Sequence, residues 1–110
     1  MLKIRTPDFE IGNRHDFSLQ EMMSYTEKME AKEFSNIPES FDYILYDANE
    51  DTDIIEATYK LNDGYKNIYE HTKELLKNVQ VDSEDMKSIK RHYLKELDEV
   101  AQNYKAQKQP

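Results

Sequence analysis

Punctuation is almost absent from this chain: its 110 residues include only two glycines and three prolines. Those two residue types supply most of the special backbone angles of tight turns. Their scarcity argues against a many-turned β fold and favours few, long elements joined by short connections. Apolar residues make up 37% and charged residues 35%, low and high respectively for a globular domain. A chain of this length can still own one modest core, so residues 1–110 read as a single domain.

Helical signals dominate the reading. Ser18, Leu19, Gln20 and Glu21 form a capping box, with Phe17 and Met22 at the staple positions. The first helix is expected to run from there to about Phe34, and Pro38 closes the connection after it. Ser40 then caps a short second helix from Phe41 to about Ala48. Asn49 to Asp51 is a break. The third helix restarts at Asp51 or Thr52 and is the longest. Ile54, Thr58, Leu61, Tyr65, Ile68, Thr72, Leu75 and Val79 alternate spacings of four and three, which describes one helical stripe about 40 Å long. Gly64 lies off that stripe, and the helix is expected to pass through it. Asp82 caps a fourth helix carrying Met86, Ile89, Tyr93, Leu97, Val100 and Tyr104, with Val81 stapled to Met86.

The expected fold is therefore all-α. A small helical bundle is built on a long antiparallel helical hairpin (about 52–79 and 83–105), with two shorter N-terminal helices. Residues 1–17 are an extended arm, or a short edge strand kept marginal by Pro7, with a turn at Gly12-Asn13. Residues 105–110 are a frayed tail.

The net charge of −8 is concentrated. Glu39, Asp42, Asp47, Glu50, Asp51, Asp53 and Glu56 fall in one stretch without Lys or Arg, interleaved with Phe41, Tyr43 and Tyr46. A field of one sign steers partners of the opposite sign, and aromatics anchor interfaces. These ten residues form the candidate partner-binding surface, facing a basic protein surface of the kind that holds nucleic acid. A protein mimic of DNA is the extreme form of that idea. The acidic balance argues against direct nucleic-acid or anionic-membrane binding, because both need a positive footprint. A solvated charged face is the plainer alternative.

Other constellations are weaker. Asp47, Asn49 and Asp51 stand at the first, third and fifth places of a calcium loop. Thr52 replaces its turn glycine, however, and Thr58 its bidentate glutamate. Reversal of the hairpin near position 81 sets His71 level with His92, with Glu74 and Glu96 nearby, yet both histidines flank the apolar stripe. They read as half-exposed polar residues at the seam, and no metal or other cofactor is expected. With no cysteine, no serine in a glycine-framed elbow and no glycine-rich phosphate loop, no catalytic residue stands out. The protein is not expected to be an enzyme.

The absence of cysteine fits a cytoplasmic protein. Residues 1–5 hold no apolar run of signal-peptide length, and apolar runs elsewhere are too short to span a membrane. The favoured function is a non-catalytic acidic protein-binding module, a phage or mobile-element inhibitor or regulator docking on a host protein. The alternative is a structural, assembly or chaperone protein that self-associates into a homo-oligomer through the long helical hairpin.

Overall fold

The computed structural model describes residues 1–62 and 64–108. It is a mixed α/β fold, which overturns the all-α bundle expected from sequence. The elements run β1 (Leu2–Pro7), β2 (Arg14–Ser18), α1 (Leu19–Glu30), β3 (Ser40–Asp47), β4 (Thr52–Lys60), α2 (Ile68–Lys77) and α3 (Glu84–Lys108). The four strands form one antiparallel sheet in the order β2-β1-β3-β4.

The expected extended arm is the sheet's interior. β1 pairs Ile4 with Phe17 of β2 on one side and with Leu45 of β3 on the other. Pro7 is tolerated because it stands at the end of β1, beyond the Leu2 to Arg5 span that β3 accompanies. The Gly12-Asn13 turn is present. Asp8 N donates to Asn13 O at 2.8 Å, and Gly12 adopts a positive φ of 85°, which glycine reaches without a steric penalty.

The expected second helix is β3, and the first part of the expected third helix is β4. Phe41, Tyr43 and Leu45 alternate into the core while Asp42, Ile44 and Tyr46 take the opposite face. Opposite them, Ile55 and Tyr59 of β4 are buried. This stretch is rich in the β-branched and aromatic residues that suit a half-buried pleated surface. A bulge between Leu45 and Tyr46 displaces the register, so that Leu45 faces Ile55 and Tyr46 faces Asp53. Gly64 separates β4 from α2 at φ 88°, far from the helical value near −63°. The 40 Å helix is thus cut where glycine lets the chain reverse its handedness.

Three helical expectations survive in shortened or adjusted form. α1 begins with the full capping box: Ser18 Oγ accepts from Glu21 N at 3.1 Å, and Glu21 Oε1 accepts from Ser18 N at 3.0 Å. It ends at Glu30 rather than Phe34. α2 and α3 remain an antiparallel pair, joined by Lys73–Asp98 and by the Tyr69 hydroxyl on the Leu97 carbonyl. Ser83, not Asp82, supplies the cap of α3, its Oγ accepting from Met86 N at 3.1 Å. The expected frayed tail is helical through Lys108; Gln109 and Pro110 lie outside the described residues.

All three helices sit on one face of the sheet. α1 packs on β1 and β2, α2 packs on β4, and α3 crosses both helices. Leu2, Ile4, Met22, Tyr43, Leu45, Ile68, Leu76 and Leu97 are fully buried between the layers. The other sheet face is open, as antiparallel sheets allow. There Arg5 pairs with Asp16 at 2.7 Å and lies 4.9 Å above the Tyr46 ring. No helix among the described residues is long and apolar enough to cross a membrane.

Candidate docking site

Strand alternation scatters the residues expected to form one acidic interface. Phe41 and Tyr43 point into the core, where Phe41 packs edge-on to Phe9 at 5.0 Å between ring centroids. Tyr46 is buried on the open face beneath Arg5. Asp42 and Glu56 also lie on that face, in a shallow depression shared with Arg14, and Thr58 Oγ1 donates to Asp42 Oδ1 at 2.6 Å. Glu39 stands at the open end of the β3–β4 hairpin, its carbonyl accepting from Leu61 N. Glu50 and Asp51 are exposed at the turn, separated from Glu39 by the length of β3, about 26 Å at 3.3 Å per residue. Asp53 is exposed at the start of β4. The negative charge is therefore spread over a hairpin with two faces and two ends.

The Asp47-Asn49-Asp51 pattern is that hairpin's turn, flanked by strands rather than helices. Asp51 closes it at φ 50°, a left-handed conformation that aspartate tolerates. Asp47 is buried, and its oxygens are already engaged. Oδ1 accepts from Asn49 N at 3.0 Å and Glu50 N at 3.4 Å, and Oδ2 accepts from Tyr93 Oη at 3.0 Å. The Met1 amino group is 3.5 Å from Oδ1. Burial pushes the Asp47 carboxyl up, but these four contacts outweigh it and hold it below the usual carboxylate range. Burial, and then the bond to Asp47, push the Tyr93 hydroxyl up to about 12.

The two histidines are far from equivalent. His92 is exposed on α3. His71, expected at a half-exposed seam, is buried under the sheet with its Nδ1 2.8 Å from Tyr43 Oη. Thr72 Oγ1 reaches the same phenol at 3.0 Å and the Ile68 carbonyl at 2.7 Å. The Tyr59 and Tyr65 rings enclose the imidazole at 5.5 and 4.8 Å. Burial pushes the Tyr43 hydroxyl strongly up, so it stays protonated and works as a hydrogen-bonding strut. Among the described residues, no group of three or more His, Asp or Glu is placed to hold a metal ion.

The surface feature that sequence reasoning missed lies at the turn end of the hairpin. Met1, Val79, Met86 and Ile89 are exposed by 60%, 38%, 53% and 50%, and Ile89 is common to the clefts that the other three line. Val79, Met86 and Ile89 line an apolar cleft of about 200 Å³, floored by Ile54, Leu76 and Tyr93. Ile89 and Tyr93 also border a wider cleft with Met1, Asn49, Glu50 and Glu96. The first turns of α3 are exposed from Glu84 to Ile89, and Leu97 is the helix's one fully covered side chain among the described residues. The sequence signal is the apolar face of α3 itself, which reads both as core and as a surface for self-association; the structure leaves Met86 and Ile89 of that face exposed.

The cleft is small for a metabolite site, where roughly 300–1,000 Å³ is usual. An apolar cavity of roughly 150 Å³ accepts one benzene ring, so about 200 Å³ holds one large apolar side chain. That is the size of an interface anchor pocket. In comparisons with known proteins, no family model, no curated protein and no solved structure matches this chain.

Proposed function

We propose that this protein is a non-catalytic binding module that docks another protein at the turn end of the β3–β4 hairpin. The observation that carries this reading is the gathering of Met1, Val79, Met86 and Ile89 beside an exposed acidic turn. Exposed apolar side chains scattered singly mean little; a cluster around a pocket rimmed by charge is what binding sites look like. One apolar side chain of the partner fills the cleft. Glu50, Asp51 and Asp53 steer a segment carrying Lys or Arg toward it, which raises the encounter rate more than the final affinity. The role that fits is that of a regulator or inhibitor occupying a basic surface of its target.

Affinity capture at low and high salt tests this, with wild type run beside Met86→Asp/Ile89→Asp and beside Glu50→Gln/Asp51→Asn/Asp53→Asn. Partners bound by wild type are expected to be lost by the first variant at any salt. The second variant should retain them only weakly at low salt, resembling wild type at high salt. Partners held equally by all three proteins would remove this end of the molecule as the docking site.

A further inference from the structure

The sheet ends in β2 on one edge and β4 on the other. β2 is five residues long, and short edge strands resist further pairing. β4 is nine residues long and holds no proline. In an antiparallel ladder, opposed residues alternate between pairs that exchange hydrogen bonds and pairs that do not. Leu61 N donates to Glu39 O at 3.0 Å, one step beyond the Ser40–Lys60 pair. That bond fixes the phase. The N–H and C=O of Ile55, Ala57 and Tyr59 turn toward β3, and those of Glu56, Thr58 and Lys60 turn outward. Among the described residues, these outward groups have no hydrogen-bond partner. All three residues are exposed. Their side chains share the open face of the sheet, and among the described residues neither Glu56 nor Lys60 is in an ion pair.

We infer that the β4 edge pairs with the β4 edge of a second copy of this chain, antiparallel, about a two-fold axis through Thr58. Such an axis opposes Glu56 of each copy to Lys60 of the other, and Thr58 to Thr58. All of these residues turn their backbone groups outward, so each opposed pair exchanges both hydrogen bonds. Opposite charges then stand directly across the seam, a stabilising cross-strand arrangement. Neighbouring registers lose it. An axis at Glu56 or at Lys60 sets like charges face to face. An axis at Ala57 sets Glu56, and one at Tyr59 sets Lys60, opposite Thr58. The Thr58 axis also brings Leu61, an exposed leucine just past β4, opposite Ile55 of the other copy. The bulge at Ile54 ends the regular edge on its other side. One continuous sheet then runs through both copies. This inference goes beyond the docking reading and does not depend on it.

Sedimentation equilibrium from micromolar to millimolar protein tests it. Wild type is expected to show a monomer–dimer equilibrium. Lys60→Glu and Glu56→Lys should each weaken self-association by about tenfold, since each sets two like-charge pairs across the seam. A change in net charge alone would make the two variants differ in sign. Mixing them should restore a dimer, and so should Glu56→Lys/Lys60→Glu in one chain, because the opposed charges are again opposite in sign. Failure of both restorations would overturn the Thr58 register. Thr58→Pro removes an outward N–H that the β3–β4 ladder does not use. It should be monomeric with its circular dichroism retained, and a dimer that persists in it would overturn the edge as the interface. Met86→Asp/Ile89→Asp should dimerise as wild type does, so loss of the dimer there would also overturn the edge, whereas its loss of captured partners bears on the docking reading alone. A wild type that stays monomeric throughout would overturn the second copy. If Thr58→Pro then loses a protein that wild type captures, the strand that pairs with β4 belongs to that protein instead.

Discussion

Tyr93 Oη donates to Asp47 Oδ2 at 3.0 Å, and that bond ties the longest helix to the turn of the acidic hairpin. It also explains why one acid of the negative stretch is withdrawn from the surface. Removing the hydroxyl in Tyr93→Phe leaves Asp47 its backbone donors and should cost about 1–2 kcal/mol. Asp47→Ala removes the acceptor for the turn as well, and should cost more, about 2–3 kcal/mol. Urea denaturation of the two single variants and the double variant checks this. The double variant should fall short of the sum, because the residues share a bond.

Acid should destabilise the protein through the same carboxylate. Hydrogen bonds hold Asp47 low, as Arg5 does Asp16 and the Ser18 backbone does Glu21. A carboxyl with a lowered folded pKa contributes stability that is fully present above its unfolded value. That contribution is lost as pH falls through the folded value. Melting temperature should therefore be flat from neutral pH down to about 5 and drop below about pH 4. Asp47→Asn should show a shallower drop, measured by calorimetry across the acid range.

Gly64→Ala distinguishes the observed fold from a continuous helix. In a helix interior the change would add stability, up to roughly 1 kcal/mol. At φ 88° it should instead cost about 1–2 kcal/mol, although no atom lies within 4 Å of the added methyl group. Thermal melting gives the sign directly.

The phenol of Tyr43 links His71 and Thr72 under the sheet. Tyr43→Phe keeps the ring and deletes the shared oxygen, so it should cost about 1–3 kcal/mol. The backbone amides of β3 and α2 should then exchange faster with solvent, as hydrogen exchange would report.

Phe41 separates core from interface. Phe41→Ala should lower stability by about 3–5 kcal/mol, the usual result of truncating a buried aromatic. Partner capture by whatever fraction stays folded should be unchanged. Melting and capture measured on one preparation would separate the two effects.

Signals written in adjacent residues were legible in the sequence. The Ser18–Glu21 box starts α1, Gly12-Asn13 turns β1 into β2, and the short stretch after Val79 reverses α2 into α3. The error lay where two periods overlap. Ile54, Thr58 and Leu61 satisfy a spacing of four and three, yet Ile55, Ala57 and Tyr59 satisfy a spacing of two, and β-branched and aromatic side chains decide for the strand. Scarce glycine misled because four antiparallel strands in two hairpins need only two tight turns, and Asp51 serves one of them. The docking cleft stayed hidden for a different reason. A sequence shows that Met86 and Ile89 are apolar, but only the packing of the helices shows that the first turns of α3 stay uncovered.

The interior position of β1 has a cost in time. Residues 2–7 meet β2 almost at once, but their other edge waits for β3, which ends at Asp47. At a synthesis rate of roughly 5–20 residues per second, the wait is about 2–8 s. For those seconds the middle of the future sheet is an edge, able to pair with any extended chain nearby. Lys3 and Arg5, which decorate the open face of the finished sheet, stand on that strand while it waits, and lysine on an exposed edge is a recognised deterrent to mispairing.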